Sequence, residues 1–219
     1  MDSMDETDGE PAVGVILAAG SGSRFRGSDS DADLRIHKLL CDFGGQPLYQ
    51  WALDSVVAAG LEPWVVWGAL GEQAPALDTS VTVLHNAFWE KGMATSLQVA
   101  VAHARLVGVD SLVVGLADQP LIPASAWIAV ARTTSTPIAV ATYGGQRRNP
   151  VRLGSVVWDL LPLTGDQGAR SVIEMRPELV TEVACVGNPA DIDTREDLQL
   201  WSSSTNSSST NPSTKPGRS

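Results

Sequence analysis

The chain has 219 residues and a formal net charge of −10, with 43% hydrophobic and 18% charged residues. This composition is typical of a folded globular chain with one sizeable core, and the negative charge argues against nucleic-acid binding, which depends on Lys and Arg side chains that neutralise phosphates. No apolar stretch approaches the roughly 20 residues of a membrane span, and the acidic N-terminus lacks the pattern of a secretory signal, so neither a nucleic acid nor a membrane is an expected partner.

The two ends of the chain differ in composition from its middle. Residues 1–11 are acidic and contain no apolar cluster, which predicts a disordered arm. Residues 202–219 form a Ser/Thr-rich tract that cannot bury a core, which predicts a disordered tail. Residues 12–201 are therefore expected to form a single domain. Its two cysteines, Cys41 and Cys185, are expected to be buried free thiols of a cytoplasmic protein.

The first half of this domain begins with a buried strand and continues with a glycine-rich loop. The run "VGVILAA" is continuously apolar, as expected of a strand buried on both faces, and "GSGSRFRG" follows it. Helical periodicity then extends over "QPLYQWALDSVVAAG", where Pro47 suits a first turn and Gly60 ends the helix. The runs "PWVVWGA" and "VTVLHN" are typical of further strands.

The second half repeats this alternation of helix and strand. A helix over "TSLQVAVAHARLVG", opened by Thr95 or Ser96, precedes a buried strand "SLVVGLADQP" that ends at Asp118. A helix over "PASAWIAVART" precedes two strands around Gly144 and Gly145. Strands separated by helices predict an α/β fold, a three-layer α/β/α sandwich with a mostly parallel, Rossmann-like sheet. Ligands of such sheets lie at the carboxyl ends of the strands, where "AAGSGSR" and "LADQP" both fall.

The loop after the first strand has the composition of a phosphate-binding loop. Gly20 and Gly22 allow the backbone to approach a ligand closely and to offer peptide N–H groups to phosphate oxygens. Arg24, Arg26 and Lys38 would add positive charge against a polyphosphate. An ordinary turn with solvated charges explains the glycines equally well, because the string matches neither the Walker nor the full Rossmann motif.

Five strings, in order, resemble the signatures of the MobA-like nucleotidyltransferases of molybdenum cofactor biosynthesis. They are "LAAGSGSRF" with a later Lys, "GMATSL", "LADQP", "NPVRL" with "LTGDQGAR", and "DIDTREDL". The resemblance covers nearly all of residues 13–201 and implies a fold like that of nucleotide-diphospho-sugar transferases. It is closest to the molybdenum cofactor cytidylyltransferases, because "LAAG" and "ADQP" are associated with cytidine in that family.

The resemblance implies an Mg²⁺-dependent cytidylyltransferase that moves CMP from CTP to a molybdopterin-type phosphate acceptor, with transient contact to a molybdoenzyme. It assigns catalysis to Arg24, Lys38 and Asp118, and metal binding to Asp118 and Asp191. It also implies an acceptor site of Asn149, Asp166 and Arg170. The expected nucleotide-binding residues are Leu17, Ala18, Ala19, Gly20, Gly22, Arg24, Lys38, Gly92, Ser96 and Ala117. GTP in place of CTP, a sugar phosphate or phospholactate as acceptor, and a non-catalytic cofactor carrier stay open.

Several of these residues also have ordinary structural explanations. An aspartate such as Asp118 at the end of a buried strand is costly unless it binds a cation or is hydrogen-bonded, but "DQP" also suits a turn. Mg²⁺ commonly uses one or two carboxylates together with phosphates, and Asp191 and Asp193 both qualify for the second, although the same acids suit a helix cap. Asp166 and Ser96 are equally at home as helix-capping residues.

Two departures from the family pattern concern the site itself. The ten residues "SDSDADLRIH" separate Gly27 from Lys38, where the family has only a few, and Asn149 replaces the family's histidine. The first departure leaves the position of Lys38 open, and the second puts an acceptor-site role of Asn149 in question. The histidines, His37 among them, lack the spacing of a zinc site.

Overall fold

A computed structural model of the chain describes residues 12–22, 25 and 37–206. The acidic arm and residues 207–219 of the tail lie outside the described residues. The last helix runs to Asn206, past the domain end expected at residue 201. Cys41 and Cys185 are both free thiols, half-buried rather than buried. No helix in the described part of the chain combines the length and apolar content needed to cross a membrane.

Nine strands, five α-helices and five short 3-10 helices make up the regular structure of the described residues. The strands are β1 (Val13–Ala18), β2 (Asp42–Phe43), β3 (Gln46–Pro47), β4 (Glu62–Trp67), β5 (Thr82–His85), β6 (Ser111–Leu116), β7 (Ile138–Tyr143), β8 (Gln146–Gly154) and β9 (Val180–Ala184). The helices are α1 (Leu48–Ala58), α2 (Met93–Val107), α3 (Ala124–Arg132), α4 (Arg170–Met175) and α5 (Arg195–Asn206).

The central sheet has seven strands in the order β5-β4-β1-β6-β8-β7-β9. Its described pairs are parallel except at β8, which runs antiparallel to both of its neighbours. Strands β2 and β3 form a separate small hairpin. The predicted three-layer α/β/α sandwich with a mostly parallel sheet is confirmed.

The two faces of the sheet carry two separate cores, as the alternation of side chains along a strand requires. In β1, Ile16 and Ala18 face the core that contains buried residues of α1 and α3. Val13, Val15 and Leu17 face the opposite core, which contains buried residues of α2 and α4. The continuously apolar run of β1 therefore reflects burial on both faces, as predicted.

Helix α2 begins earlier than predicted, at Met93 rather than after Thr95 or Ser96. Gly92 precedes it with a φ of 100°, a conformation that favours glycine. The backbone N–H of Ala94 donates to the Gly165 carbonyl at 2.9 Å. A loop distant in sequence thus supplies the acceptor that a local Thr or Ser cap was expected to supply.

The connections around β1 create a crevice at the carboxyl end of the sheet. Helix α1 connects β1 to β4 over one face, and α2 connects β5 to β6 over the other face. The two connections therefore cross opposite faces of the sheet, and the crevice lies between the neighbouring strands β1 and β6. Open α/β sheets bind their ligands at such a point.

Candidate active site

A cleft of about 380 Å³ lies at this crevice. The loop after β1 forms one wall, and the turn after β6 together with the start of α2 forms the other. Nine of the ten expected nucleotide-binding residues line it: Leu17, Ala18, Ala19, Gly20, Gly22, Lys38, Gly92, Ser96 and Ala117. The tenth, Arg24, lies outside the described residues. Asp118 also lines the cleft.

The glycines of the β1 loop leave its backbone open to the cleft. A Cβ atom placed on Gly20 would meet nothing within 4 Å. Gly22 has a φ of 61°, and a Cβ atom there would lie 3.3 Å from Cγ of Lys38. The loop therefore passes close over the lysine stem, and its backbone beside Gly20 can be approached from the cleft.

His37, which is buried, fixes the position of this loop. Its Nδ1 accepts a hydrogen bond from the backbone N–H of Leu39 at 3.3 Å. The proton of the neutral ring is therefore on Nε2, which lies 2.8 Å from the Gly20 carbonyl oxygen and donates to it. This role of His37 was not predicted from the sequence, because no short-range spacing links His37 to Gly20.

Lys38 is held between two carboxylates inside the cleft. Its Nζ donates to Oδ2 of Asp118 at 2.7 Å and to Oδ1 of Asp193 at 3.1 Å. A third, longer hydrogen bond of 3.4 Å goes to the carbonyl oxygen of Ile192. Burial by itself would lower the pKa of Lys38, but the charge of Asp118 and the hydrogen bonds to Asp118 and Asp193 raise it above its ordinary value. The lysine therefore carries a fixed positive charge in the cleft.

A chain of side-chain amides connects Asp191 to Asn149. The Nε2 of Gln119, a buried residue, donates to Oδ1 of Asp191 at 2.8 Å and to the Pro189 carbonyl at 3.2 Å. The Nδ2 of Asn149 donates to Oε1 of Gln119 at 3.0 Å. Burial, and after it the charge of Asp118, raise the pKa of Asp191 above its usual range, against the hydrogen bond from Gln119. Asp191 therefore lies within the electrostatic reach of Asp118.

The acidic residues around Lys38 suit a divalent cation that is shared with phosphates. Asp118, Asp191 and Asp193 together outweigh the single charge of Lys38. Among the described residues, no group of three or more His, Cys, Asp or Glu side chains converges to hold a metal ion by itself. Mg²⁺ is usually held by one or two carboxylates, with phosphates and water completing its coordination. The donor set fits that mode, with Asp118 and either Asp191 or Asp193 as ligands.

The three residues expected at the acceptor site lie in different surroundings. Asp166 lines the cleft, and its Oδ1 accepts from the backbone N–H of Met93 at 3.4 Å, so it caps α2. Asn149 is bonded to Gln119, and the exposed Arg170 begins α4. Neither Asn149 nor Arg170 is among the residues that line the described cleft.

Part of the cleft wall was not predicted from the sequence. Trp89, Glu90 and Met93 line the cleft just before and at the start of α2. A Cβ atom on Gly68 would lie 2.7 Å from Cβ of Trp89 and 2.6 Å from Cβ of Ala19, so Gly68 lies between Trp89 and the residue that follows β1. Trp89 directly precedes the string "EKGMATSL", and that neighbourhood is the signal that could have identified it.

A crevice at the switch point of a mostly parallel sheet, lined by a glycine loop, a lysine and carboxylates, defines a nucleotide-binding α/β protein. A family model described as the MobA-like NTP transferase domain matches residues 14–183. The chain belongs to this family of nucleotidyltransferases.

Two characterised relatives extend over most of the chain. The purine catabolism protein PucB of Bacillus subtilis is 27% identical over 204 residues, which are 86% of this chain and 94% of PucB. The nicotine blue oxidoreductase of Paenarthrobacter nicotinovorans is 26% identical over 215 residues, which are 89% of this chain and 98% of that protein. The similarity therefore extends over the whole domain.

The solved structures of Rv0371c from Mycobacterium tuberculosis H37Rv have the same fold. One matches with a TM-score of 0.72 and 27% identity, covering 88% of this chain and 97% of Rv0371c. A second, a complex of Rv0371c with manganese, matches with a TM-score of 0.70 and 25% identity, covering 89% of this chain and 99% of the other. Manganese is thus bound in a structure similar to this one.

Proposed function

We propose that the chain is a cytoplasmic cytidylyltransferase that moves CMP from CTP to a phosphate group on a molybdopterin-type acceptor. A phosphate oxygen of the acceptor attacks the α-phosphorus of CTP, the bond between the α-phosphorus and its bridging oxygen breaks, and pyrophosphate leaves. The observation that carries this proposal is the arrangement of Lys38 and its carboxylates beside the open backbone of the β1 loop. This arrangement suits a triphosphate that arrives with a divalent cation.

The residues of the cleft have separate roles in this reaction. Peptide N–H groups near Gly20 and Gly22 bind phosphate oxygens, and Lys38 neutralises the charge that develops on the leaving pyrophosphate. Asp118 and Asp191, with Asp193 as the other candidate, would hold Mg²⁺, which supplies further charge neutralisation when it is bound. The attacking phosphate is already anionic near neutral pH, so alignment of the reactants replaces a strong general base.

The choice of CTP rests on the walls of the cleft and on the family resemblance. Ala18, Ala19 and Ala117 are small and line the cleft, so the backbone beside them can read the edge of a base. The strings "LAAG" and "ADQP" that contain them resemble those of the cytidylyltransferases. The acceptor and a transient molybdoenzyme partner are supported by the resemblance alone.

The experiment is pyrophosphate release with each of the four nucleoside triphosphates, with and without molybdopterin and Mg²⁺. We expect CTP to give the highest kcat/KM, since a site built on hydrogen bonds discriminates strongly between bases. Asp118→Asn should lower turnover on the order of 100-fold, the scale of a lost charge-stabilising group. Asp159→Asn, a change at an exposed carboxylate paired with Arg105, is the matched control. Equal or better use of GTP would reject the cytidylyl assignment.

Redox chemistry is the second candidate, because one relative is named an oxidoreductase. Pyrophosphate release separates the two functions, since oxidation and reduction break no phosphoanhydride bond. A folded protein that releases no pyrophosphate from any triphosphate with molybdopterin, a sugar phosphate or phospholactate as acceptor would favour the redox function or a non-catalytic carrier.

A further inference from the structure

A buried polar cluster lies beneath the cleft wall at the start of α2. Its centre is Asn86, which follows β5 and is 3% exposed. The backbone N–H of Asn86 donates to the Trp67 carbonyl at 2.8 Å, which fixes the residue to the end of β4. Ser96, in the first turns of α2, is 1% exposed and lines the cleft. The cluster therefore connects the sheet to the ligand-facing side of α2.

The hydrogen bonds of Asn86 define which way its side-chain amide faces. Its Oδ1 accepts from the backbone N–H of Phe88 at 2.8 Å, so the oxygen must occupy that end of the amide. The Nδ2 then donates to Oγ1 of Thr95 and to Oγ of Ser96, each at 2.8 Å. Both amide protons of Asn86 are used, and each of the two hydroxyl groups receives one of them.

The two hydroxyl groups differ in where their own protons go. Oγ1 of Thr95 donates within the protein, to the Gly92 carbonyl at 2.8 Å or to the Phe88 carbonyl at 3.1 Å. For the Ser96 hydroxyl, the described residues provide no such acceptor. One of its two lone pairs is occupied by Asn86, and Ser96 lines the cleft. Ser96 therefore presents a hydrogen-bond donor to a ligand.

We infer that Asn86 is a positioning residue for base recognition, because it makes the Ser96 hydroxyl a donor into the cleft. A base that offers an acceptor there, such as the O2 or N3 atom of cytosine, satisfies this hydroxyl. A base that offers an N–H group there can bond only to the second lone pair of the hydroxyl oxygen. The buried hydroxyl proton is then left without an acceptor, which a buried site penalises. The inference rests on the proposed function, since it concerns the nucleotide of that same site.

The test reverses the hydrogen bonds without changing the shape of the side chain. In Asn86→Asp, the new carboxylate faces three donors, Phe88 N–H and the hydroxyls of Thr95 and Ser96, which favour its ionised form. The Ser96 proton then turns towards the carboxylate, and a lone pair faces the cleft. Calorimetric titration of the full chain with CTP and with GTP, each with Mg²⁺, measures the effect as the ratio of the two Kd values.

We expect Asn86→Asp to weaken CTP binding by about 10- to 100-fold, the cost of an unmatched buried polar pair, and to leave GTP binding equal or tighter. Ser96→Ala should weaken CTP binding and leave GTP binding unchanged. Thr95→Val is the control, since it removes the other hydroxyl on the same amide. It should lower the Tm without moving the ratio.

Two results would overturn the inference, and they are distinguishable. If the wild-type protein binds CTP but the ratio is unmoved in folded Asn86→Asp and in Ser96→Ala, the positioning role is wrong and the proposed function stands. If the wild-type protein binds no nucleotide, the positioning role and the proposed function are both wrong. Should Asn86→Asp not fold, the ratio in Ser96→Ala alone decides.

Discussion

Lys38 and a divalent cation compete for the same carboxylates, so replacing the lysine should change metal binding and turnover in opposite directions. Nζ lies 2.7 Å from Asp118 and 3.1 Å from Asp193. Lys38→Met keeps most of the side-chain stem and removes the ammonium group, with its charge and its hydrogen bonds. We expect the variant to bind Mn²⁺ more tightly than the wild type in the absence of nucleotide. Turnover should fall, because the charge on the leaving pyrophosphate is no longer neutralised.

The magnitude follows from Coulomb's law and the exposure of the site. Two unit charges about 4 Å apart interact by about 1 kcal/mol in water and by about 4 kcal/mol at an effective dielectric of about 20. The carboxylate side chains of Asp118 and Asp193 are 20% and 37% exposed, so solvent screens part of the interaction. Removing the repulsion between Lys38 and the metal should therefore tighten Mn²⁺ binding roughly 10- to 100-fold.

Electron paramagnetic resonance of free Mn²⁺ measures this affinity without any nucleotide, and thermal melts provide a second readout. Without Lys38 the neighbouring carboxylates repel one another, so the Tm should fall in metal-free buffer and recover when Mn²⁺ is added. Lys91→Met is the matched control. Lys91 is exposed, and its ammonium group lies over the ring of Phe88. A folded Lys38→Met variant with unchanged Mn²⁺ affinity would refute the competition.

Three further changes test the packing of the fold and the support of the site. Gly115→Ala places a Cβ atom 2.5 Å from the buried ring of Trp127, which should cost about 1–3 kcal/mol; an unchanged Tm in thermal denaturation would contradict it. His37→Leu removes the donor to the Gly20 carbonyl and should raise the KM for CTP about tenfold with a smaller change in kcat, which steady-state kinetics would detect or disprove. Gln119→Leu should weaken Mn²⁺ binding, because the Gln119 amide that orients the Asp191 carboxylate is lost. Calorimetry that finds equal Mn²⁺ affinity would argue against that role.

The core elements were predictable because burial leaves a direct mark on the sequence. Strand β1 is buried on both faces and is continuously apolar, and α1 has its apolar stripe between Pro47 and Gly60. Strand β9 was missed, because "VTEVA" is an only partly buried strand that pairs with β7 in the described sheet and carries a charged side chain. Such a strand lacks the apolar run that indicates a buried one.

The contacts that shape the site were not predictable, because they join residues that are distant in sequence. Lys38 and Asp193 are separated by 155 positions, and Gln119 and Asp191 by 72. Spacing rules describe one helix or strand and say nothing about which loops meet at a sheet edge. The start of α2 was misplaced for the same reason, since its acceptor is the carbonyl of Gly165.

The position of Lys38 is fixed by described residues that lie close to it in space. The ten residues after Gly27 leave the lysine unplaced by sequence alone, yet the last of them, His37, bonds back to Gly20 across 17 positions. Gly22 then packs against the lysine stem, with room only for a glycine in its left-handed conformation. The described residues on either side of that segment, Gly22 and His37, therefore lie close together, and they fix where the ammonium group lies. Because Asp118 and Asp193 fix the other end of that side chain, the charge stays beside the β1 backbone, where a triphosphate would need it.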